Sequence, residues 1–312
     1  MLKKISAITI STAIFFLCTS LRVVPAQQIT KPGIKTIVID AGHGGKDVGA
    51  KGKYSHEADI TLAIALKLQQ DLQEAMPDVK IVMTRTTDVF DSPPVKANKA
   101  NAAKGDLFVC IHVNAAPSIK HSEIAGYKTQ TYYTGKGKKR KKHTKQVPQY
   151  RYWTTPNPAE GTETYIWGID KNDNKQVTLR ENESLYIDSV SAKQVEDFDP
   201  DSPEKMILYS LRTQQYFARS VNLAMAVEDE FTKIGRISRE VHQRQKGIWV
   251  LQATAMPSVL IETGYITNSE EEDYLNSDSG QQETSIAIVN ALKRYRQSLE
   301  NNSLIPVTDN SQ

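Results

Sequence analysis

The sequence predicts an α/β fold, in which helices flank a mostly parallel or mixed central sheet within one domain, residues 35–299. Two observations predict this class. Short apolar runs that stop at glycine or small polar residues are typical of buried strands. These runs alternate along the chain with segments whose apolar residues recur at helical spacing. Such alternation favours a layered domain with a largely parallel sheet.

The first part of the domain gives the clearest elements. An apolar run at residues 36–39 predicts the first strand. Ser55 is a candidate N-cap for a helix that continues to about residue 75 with apolar residues near one face, and Pro77 stops it. The elements expected next are a strand at 79–84, a helix at 95–104 and a strand at 106–113.

The middle of the chain contains a first insertion, at about residues 134–158. It separates the strand-like segments 126–133 and 161–168. Within it, residues 136–145 are strongly basic and have no apolar periodicity. We expect a solvated loop here, because such segments bury too little apolar surface to become ordered. The alternative is that this segment attracts an anionic polymer or partner.

A second insertion, at residues 170–203, is long and polar, with a short helix expected over 177–186. Loops of this length within a compact domain are typically functional lids or disordered segments. The remaining predicted elements are a helix at 203–231, strands at 248–251 and 258–261, a helix at 285–299 and a disordered tail at 300–312.

The N-terminus has the features of a secretory signal peptide. Lys3 and Lys4 precede an apolar segment, residues 5–18, that is short for a membrane span. Small residues then lead to Ala26, which predicts a cleaved signal peptide at residues 1–26 and export to the periplasm. The alternative is an uncleaved anchor helix.

Cleavage at this position changes the charge and cysteine content. The full chain has 39 Lys and Arg and 36 Asp and Glu. Removing Lys3, Lys4 and Arg22 leaves 36 basic and 36 acidic residues, so nothing indicates nucleic-acid or anionic-membrane binding, which need a basic surplus. Only Cys110 remains, so no intramolecular disulfide is possible. We expect a monomer.

Two histidines stand where apolar runs end. His43 follows the first predicted strand within glycines that permit a sharp turn, and His112 ends the strand at 106–113. With Glu57, they suggest one zinc site, since catalytic zinc commonly takes three His or Glu ligands and keeps one open position. Glu262, at the end of another apolar run, is the candidate general base.

Each of these signals has an ordinary alternative. A strand-end histidine is often only a hydrogen-bonded structural residue. Glu57 could be a first-turn carboxylate that the helix dipole favours. His56 is a rival ligand, although adjacent helical residues point in different directions, so only one of the pair is expected to face a site.

Four motifs together resemble those of the zinc-dependent N-acetylmuramoyl-L-alanine amidases of the amidase-3 type, similar to the periplasmic AmiA/AmiB/AmiC group. The resemblance extends over about residues 35–298. The motifs are IDAGHGG at residues 39–45, Glu57 at the start of a helix, AN at 100–101 with DLFVCIHVNA at 106–115, and PSVLIETGYITN at 257–268.

The resemblance implies that His43, Glu57 and His112 bind one Zn²⁺ and that Glu262 is the catalytic carboxylate. The expected reaction is hydrolysis of the amide between N-acetylmuramic acid and L-alanine of the peptidoglycan stem peptide. The sequence departs from the family at two positions. Lys96 stands where arginine is usual, and a lysine ammonium cannot make the two parallel hydrogen bonds of a guanidinium. Cys110 stands where serine is common.

The resemblance also implies regulation. Family members that act in cell division often carry an inserted helix that covers the zinc, so Glu181 and Glu183 in the second insertion are candidate autoinhibitory residues. The alternative is a solvated polar helix with no contact to the site. A LytM-type activator is then the expected partner, beside peptidoglycan. Asn114 and Arg244 are candidates for the substrate groove; for Arg244, an ordinary turn before a strand is the alternative.

Two other functions remain open from the sequence. One is a zinc peptidase that cuts within the stem peptide, which would differ in the fragments it releases. The other is a non-catalytic wall-binding or scaffold protein on an amidase fold. The complete set of ligands with Glu262 argues against the scaffold.

Overall fold

The computed structural model describes residues 33–167, 203–244 and 248–305. The predicted signal peptide, nearly all of the second insertion, its predicted helix, Glu181 and Glu183 lie outside these residues. Of the predicted disordered tail, residues 300–305 are described, and Glu300 is the last residue of a helix. There, the backbone N–H of Ile305 donates to the side-chain oxygen of Asn222 (2.8 Å), so this part is tied to the domain.

The described residues form eight strands. In chain order, they are β1 (Thr36–Ala41), β2 (Lys80–Met83), β3 (Leu107–Asn114), β4 (Ile119–Thr134), β5 (Lys141–Thr155), β6 (Thr162–Trp167), β7 (Ser238–Arg244) and β8 (Ser258–Tyr265). Six of them form a mixed sheet in the order β2-β1-β3-β8-β6-β7, while β4 and β5 pair only with each other. Strand β6 runs antiparallel to β8, and β7 runs parallel to β6. The mixed-sheet prediction is confirmed.

Six α-helices connect and cover these strands in the described part of the chain. They are α1 (Glu57–Ala75), α2 (Pro93–Ala102), α3 (Pro203–Lys233), α4 (Trp249–Ala253), α5 (Ser269–Asn276) and α6 (Asp278–Glu300). A 3₁₀ turn, Gly137–Lys139, joins β4 to β5. Within the described ranges, no helix combines the length and apolarity that crossing a membrane requires.

Each face of the sheet has its own apolar core, because side chains alternate along a strand. Ile39, Val109 and Ile111 point to the face that packs on α1, α3 and α6. Their neighbours Val38 and Phe108 point to the opposite face. That second core is smaller and is completed by residues of α2 and α4. His112 and Glu262 lie on strands and alternate with the residues of the larger core, so they point to this thinner side.

Several local predictions were wrong. The apolar segment 248–251 begins the short helix α4, since a four-residue apolar run does not by itself distinguish strand from helix. Strand β7 and helix α5 were not predicted. Ser55 does not cap α1: its hydroxyl donates to Glu272 (2.7 Å), and His56 occupies the N-cap position without a side-chain hydrogen bond.

The basic segment of the first insertion is ordered, contrary to the loop that the sequence suggested. Residues 141–145 belong to β5, which pairs along its whole length with β4. Backbone hydrogen bonds between the strands provide the order that the charged side chains could not provide through burial. We call Ile119–Thr155 the hairpin arm.

Leu68 tests the contribution of the larger core. This residue is fully buried in α1, whereas Leu66 on the same helix is 37% exposed. Leu68→Ala should lower the free energy of unfolding by about 2–5 kcal/mol, since it removes buried apolar contacts and leaves a cavity. Leu66→Ala should cost under about 1 kcal/mol. Urea denaturation measures both; equal losses would contradict the packing described.

Candidate metal centre and active site

The three predicted metal ligands meet at the carboxyl-terminal edge of β1 and β3. His43 follows β1 in a left-handed backbone conformation (φ 56°), which few residues other than glycine adopt readily. Glu57 is the first residue of α1, and His112 lies near the end of β3. All three side chains are buried. The structure therefore brings together the three residues that the sequence singled out; their binding of a metal stays a prediction.

The triad is arranged around the Glu57 carboxylate. Its Oε2 lies 3.1 Å from His43 Nε2, and its Oε1 lies 3.0 Å from His112 Nδ1. The two imidazole rings are 4.9 Å apart and nearly perpendicular. One potential ligand atom from each residue lies within 4.8 Å of the others. Two histidines and one carboxylate are a donor set that suits catalytic zinc.

Backbone and side-chain contacts hold these ligands in orientation. The Glu57 carboxylate accepts hydrogen bonds from the backbone N–H groups of Ala50 (2.8 Å) and Val113 (2.9 Å). His43 Nδ1 lies 3.0 Å from the Asp47 carboxylate. A carboxylate on the second ring nitrogen is the usual partner of a metal-binding histidine, because it fixes the ring and raises its basicity.

A second cluster, of Asp40, Cys110 and His112, also brings three potential ligand atoms together, but it fits a metal less well. Asp40 is paired with the buried ammonium of Lys96 (3.1 Å) and accepts from the Cys110 thiol (2.9 Å). Burial and the charge of Asp40 raise the pKa of that thiol to about 12. A thiol that keeps its proton is a poor metal ligand, and the Asp40 carboxylate already has Lys96 as its charge partner.

Lys96, which departs from the family pattern, has a defined role in this structure. Burial by itself raises the pKa of Asp40, but Lys96 and the hydrogen bonds from Cys110 and Thr84 outweigh it, so this pKa lies below its usual value. The Lys96 ammonium also donates to the carbonyl of Ala41 (2.7 Å). A single lysine thus satisfies both acceptors at the end of β1.

Arg85 is a structural residue of the site that the sequence analysis missed. Its buried guanidinium donates to the carbonyls of Ala41 (3.0 Å), Gly42 (2.8 Å) and Ala58 (2.8 Å). It therefore ties the loop that carries His43 to the first turn of the helix that carries Glu57. An arginine two residues after the end of the apolar strand β2 was the available signal.

Glu262 lies beside His112. It is buried in β8, where its register partner is His112 on β3 and, on the other side, Glu163 on β6. Paired residues of adjacent strands project to the same face of a sheet. The sequence suggested that Glu262 lies at the end of a strand. The strand instead continues to Tyr265, so this carboxylate lies within it.

Glu163 is a second buried carboxylate that the sequence analysis missed. It accepts hydrogen bonds from the hydroxyls of Tyr165 and Tyr265, from Arg239 Nε (2.6 Å) and from Asn114 Nδ2 (3.3 Å). Burial by itself raises the pKa of Glu163, but these donors outweigh it, so the pKa lies below its usual value. The signal was a glutamate within an otherwise uncharged strand.

The two predicted groove residues are placed differently. Asn114 is buried at the end of β3 and contacts Glu163 beside Glu262. Arg244 ends β7, which runs parallel to β6 and so ends at the edge of the sheet away from the triad; its backbone is not brought to the site. A groove role for either residue stays a prediction.

A cleft opens next to the triad. It is lined by His43 and His112 on one side and by Asp91, Lys96 and Trp249 on the others. No role was expected for Trp249, because the apolar run 248–251 predicts a strand. The start of α4 instead places an indole next to the candidate metal centre, where it can contact a ligand.

The fold and the buried triad together point to one class of hydrolase. The family model described as N-acetylmuramoyl-L-alanine amidase matches residues 37–294, and the chain belongs to this family. The N-acetylmuramoyl-L-alanine amidase AmiC of Escherichia coli O6:H1 is 30% identical over 281 residues, which cover 88% of this chain and 57% of AmiC. The amidase AmiA of Salmonella typhimurium is 27% identical, covering 85% of this chain and 78% of AmiA.

Solved structures agree on the fold. An N-acetylmuramoyl-L-alanine amidase from Clostridium difficile 630 superimposes with a TM-score of 0.53 at 24% identity, covering 86% of this chain and 99% of that one. AmiC2 of Nostoc punctiforme gives a TM-score of 0.51 at 22% identity, covering 84% and 97%. The chain spans little more than half the length of E. coli AmiC.

Gly42 tests the close packing of the triad. A Cβ at this position would lie 2.7 Å from His112 Nε2 and 2.8 Å from the Ile111 carbonyl. Gly42→Ala should therefore displace His112 and weaken binding of Zn²⁺ by about tenfold or more, measured by competition with a chromophoric chelator. Gly126→Ala, where a Cβ meets nothing within 4 Å, is the control and should bind as the parent does.

Glu163 predicts a pH dependence of stability. Because its pKa is lower in the folded protein than its ordinary value of 4.5, its stabilising contribution is present above that value and is lost as the pH falls through the folded pKa. The difference in free energy of unfolding between parent and Glu163→Gln should therefore shrink from pH 6 to pH 3. Urea titrations across this range measure it; a constant difference would contradict the assignment.

Proposed function

We propose that this protein hydrolyses the amide bond between N-acetylmuramic acid and L-alanine of the peptidoglycan stem peptide, with one Zn²⁺ per chain. The observation that carries the proposal is the buried triad of His43, Glu57 and His112 with Glu262 on the neighbouring strand. Membership of the amidase family supports it, as does the cleft that gives access to the triad.

His43, Glu57 and His112 would hold the zinc. When bound, zinc polarises a carbonyl oxygen and lowers the pKa of water, which is the chemistry that amide hydrolysis needs. The contacts of Glu57 with two backbone N–H groups and of His43 with Asp47 keep the donor atoms in place before binding. Such preorganisation avoids the cost of ordering the ligands.

Glu262 acts as general base and then as general acid. It takes a proton from the attacking water as the water oxygen adds to the amide carbon. It then gives that proton to the alanine nitrogen as the carbon–nitrogen bond breaks. The products are a carboxylate on the lactyl group and a free amine on the stem peptide. Burial of Glu262 keeps bulk water from competing for this proton.

The network around Glu163 positions the neighbouring strands. Its bonds with Tyr265 and Arg239 join β6, β7 and β8 on the flank of Glu262. This arrangement limits movement of the catalytic carboxylate relative to His112. Glu163 is thus a positioning residue in the proposed mechanism and not a proton carrier.

The setting of this reaction follows from the resemblance. We propose that the enzyme acts on the cell wall in the periplasm, in remodelling or in separation of daughter cells. Export by cleavage after Ala26, a monomeric state and a LytM-type activator all stay predictions.

Digestion of purified peptidoglycan tests the proposal. The mature chain should release intact stem peptides with free N-terminal alanine and leave peptide-free glycan, and a chelator should abolish release. Glu262→Gln should lower the rate by about 10²–10⁴-fold while it retains zinc, because Glu262 is not a ligand. Mass spectrometry of the products and metal analysis of the protein measure these outcomes.

Glu270→Gln is the matched control, since Glu270 is exposed on α5, and it should digest at the parent rate. Fragments cut between stem amino acids would instead identify a peptidase. A zinc-loaded, folded protein that leaves a soluble muramoyl peptide intact both with and without residues 170–203 would refute the amidase. Near-parent activity of Glu262→Gln would refute the assignment of the base.

A further inference from the structure

The hairpin arm, Ile119–Thr155, has no part in the core of the domain. Its strands have 16 and 15 residues, which at about 3.4 Å per residue extend for roughly 50 Å. No residue of the arm is buried. The arm therefore adds nothing to the apolar cores, and its side chains are available to a ligand.

The arm is strongly basic. It contains ten Lys or Arg residues and one acidic residue, Glu123, and Glu123 is paired across the strands with Arg151. Six of the seven residues 136–142, at the tip, are Lys or Arg. The ligand is therefore expected to carry negative charge. A second copy of this arm is excluded as the occupant by the repulsion between like charges.

Aromatic rings accompany this charge along the arm. Tyr127, Tyr150 and Tyr152 share one face, by the register of the strands, and are 49–74% exposed. The rings of Tyr150 and Tyr152 lie 6.1 Å apart. Exposed aromatic clusters of this kind typically mark interaction sites.

The opposite face also carries rings. His121 stacks on Trp153 and Tyr132 stacks on His143, with ring centroids 5.3 and 5.2 Å apart. Rings on both faces, interspersed with cations, do not suit a flat membrane surface, which would contact one face only. They suit a long, flexible polymer whose own rings can stack against either face.

Both ends of the arm lie at the edge of the sheet that carries the site. The arm begins five residues after Asn114, at the end of the strand that carries His112. It returns to β6, which runs antiparallel to β8 and so begins at that same edge. Ala116 N donates to Thr267 Oγ1 (3.0 Å), and Asn157 Nδ2 donates to the Pro117 carbonyl (3.1 Å). These bonds anchor the base of the arm.

We propose that the hairpin arm binds the glycan–peptide strands of peptidoglycan. It holds them at the catalytic edge, the edge of the sheet where His43, His112 and Glu262 lie. Pyranose rings offer apolar faces that stack on tyrosine and tryptophan. The carboxylates of the stem peptides pair with lysine and arginine. Peptidoglycan therefore offers both kinds of contact, apolar sugar faces and carboxylates. It is long enough to offer them along the whole arm. The inference rests on the proposed function, since it gives that function's substrate a second contact.

Cosedimentation with insoluble peptidoglycan sacculi tests the arm. The measurement uses the mature chain with Glu262→Gln, so that the polymer is not digested. Changing Tyr127, Tyr150 and Tyr152 together to Ser should weaken binding by on the order of tenfold. Changing Lys138, Lys139 and Lys141 together to Gln should have a similar effect, and salt should weaken binding by the parent.

Two matched controls separate recognition from general damage. The same three tyrosines changed to Phe keep their rings and should bind as the parent does. Lys35, Lys80 and Lys104 are exposed outside the arm, so changing them together to Gln should leave binding unchanged. All variants should unfold at the parent temperature, since the arm contributes no buried residue.

Hydrolysis separates this inference from the proposed function. With Glu262 restored, the arm variants should hydrolyse a soluble muramoyl peptide at the parent rate but digest sacculi more slowly. If the parent hydrolyses neither substrate, with or without residues 170–203, but still binds sacculi through the arm, the amidase proposal is refuted and the arm proposal stands. Unchanged binding by the Tyr-to-Ser variant would overturn the arm. Affinity for anionic phospholipid vesicles or single-stranded DNA equal to that for sacculi would also overturn the proposal, since the arm would then bind any polyanion.

Discussion

The site depends on one buried carboxylate. Glu57 contacts both histidines and accepts two backbone hydrogen bonds, one from the loop before α1 and one from β3. It thereby links the N-terminus of a helix to the end of a strand 56 residues further along the chain. Because an unpaired buried charge is very costly, this arrangement requires either the histidines or a metal as its partners. Its contacts hold the loop after β1, the start of α1 and the end of β3 together.

The thin side of the sheet explains why chemistry is possible there. Among the described residues, helices α1, α3 and α6 pack on one face, and residues of α2 and α4 complete the smaller core on the other. On that second face, the strands present the acids Asp40, Glu163 and Glu262 among apolar neighbours. Each is paired in register with a neighbouring strand, so the sheet itself spaces these acids. The cleft beside Trp249 is where this layer is incomplete.

The hairpin arm and the catalytic edge form one continuous feature of the chain. The strand that supplies His112 leads into the arm, and the strand that follows the arm supplies Glu163. A polymer bound along the arm would thus be delivered to the edge where the triad and Glu262 lie. The described residues contain no separate binding domain. The arm therefore provides the means by which this chain would hold an insoluble substrate.

The sequence by itself determined the class of fold from local signals. The same signals suggest the three candidate ligands and Glu262 only weakly one by one, and the four motifs shared with the amidase family single them out together. Apolar runs, glycines and residue types at strand ends are readable without long-range contacts. It could not predict Arg85, Glu163 or Trp249, since their roles arise from partners distant in sequence. Glu163, for example, meets Arg239 76 residues away. Nor could it predict the order of residues 141–145, because backbone pairing between β4 and β5, and not side-chain burial, provides it. Tertiary structure decided these features because hydrogen-bond partners and strand neighbours are chosen only when the chain is folded.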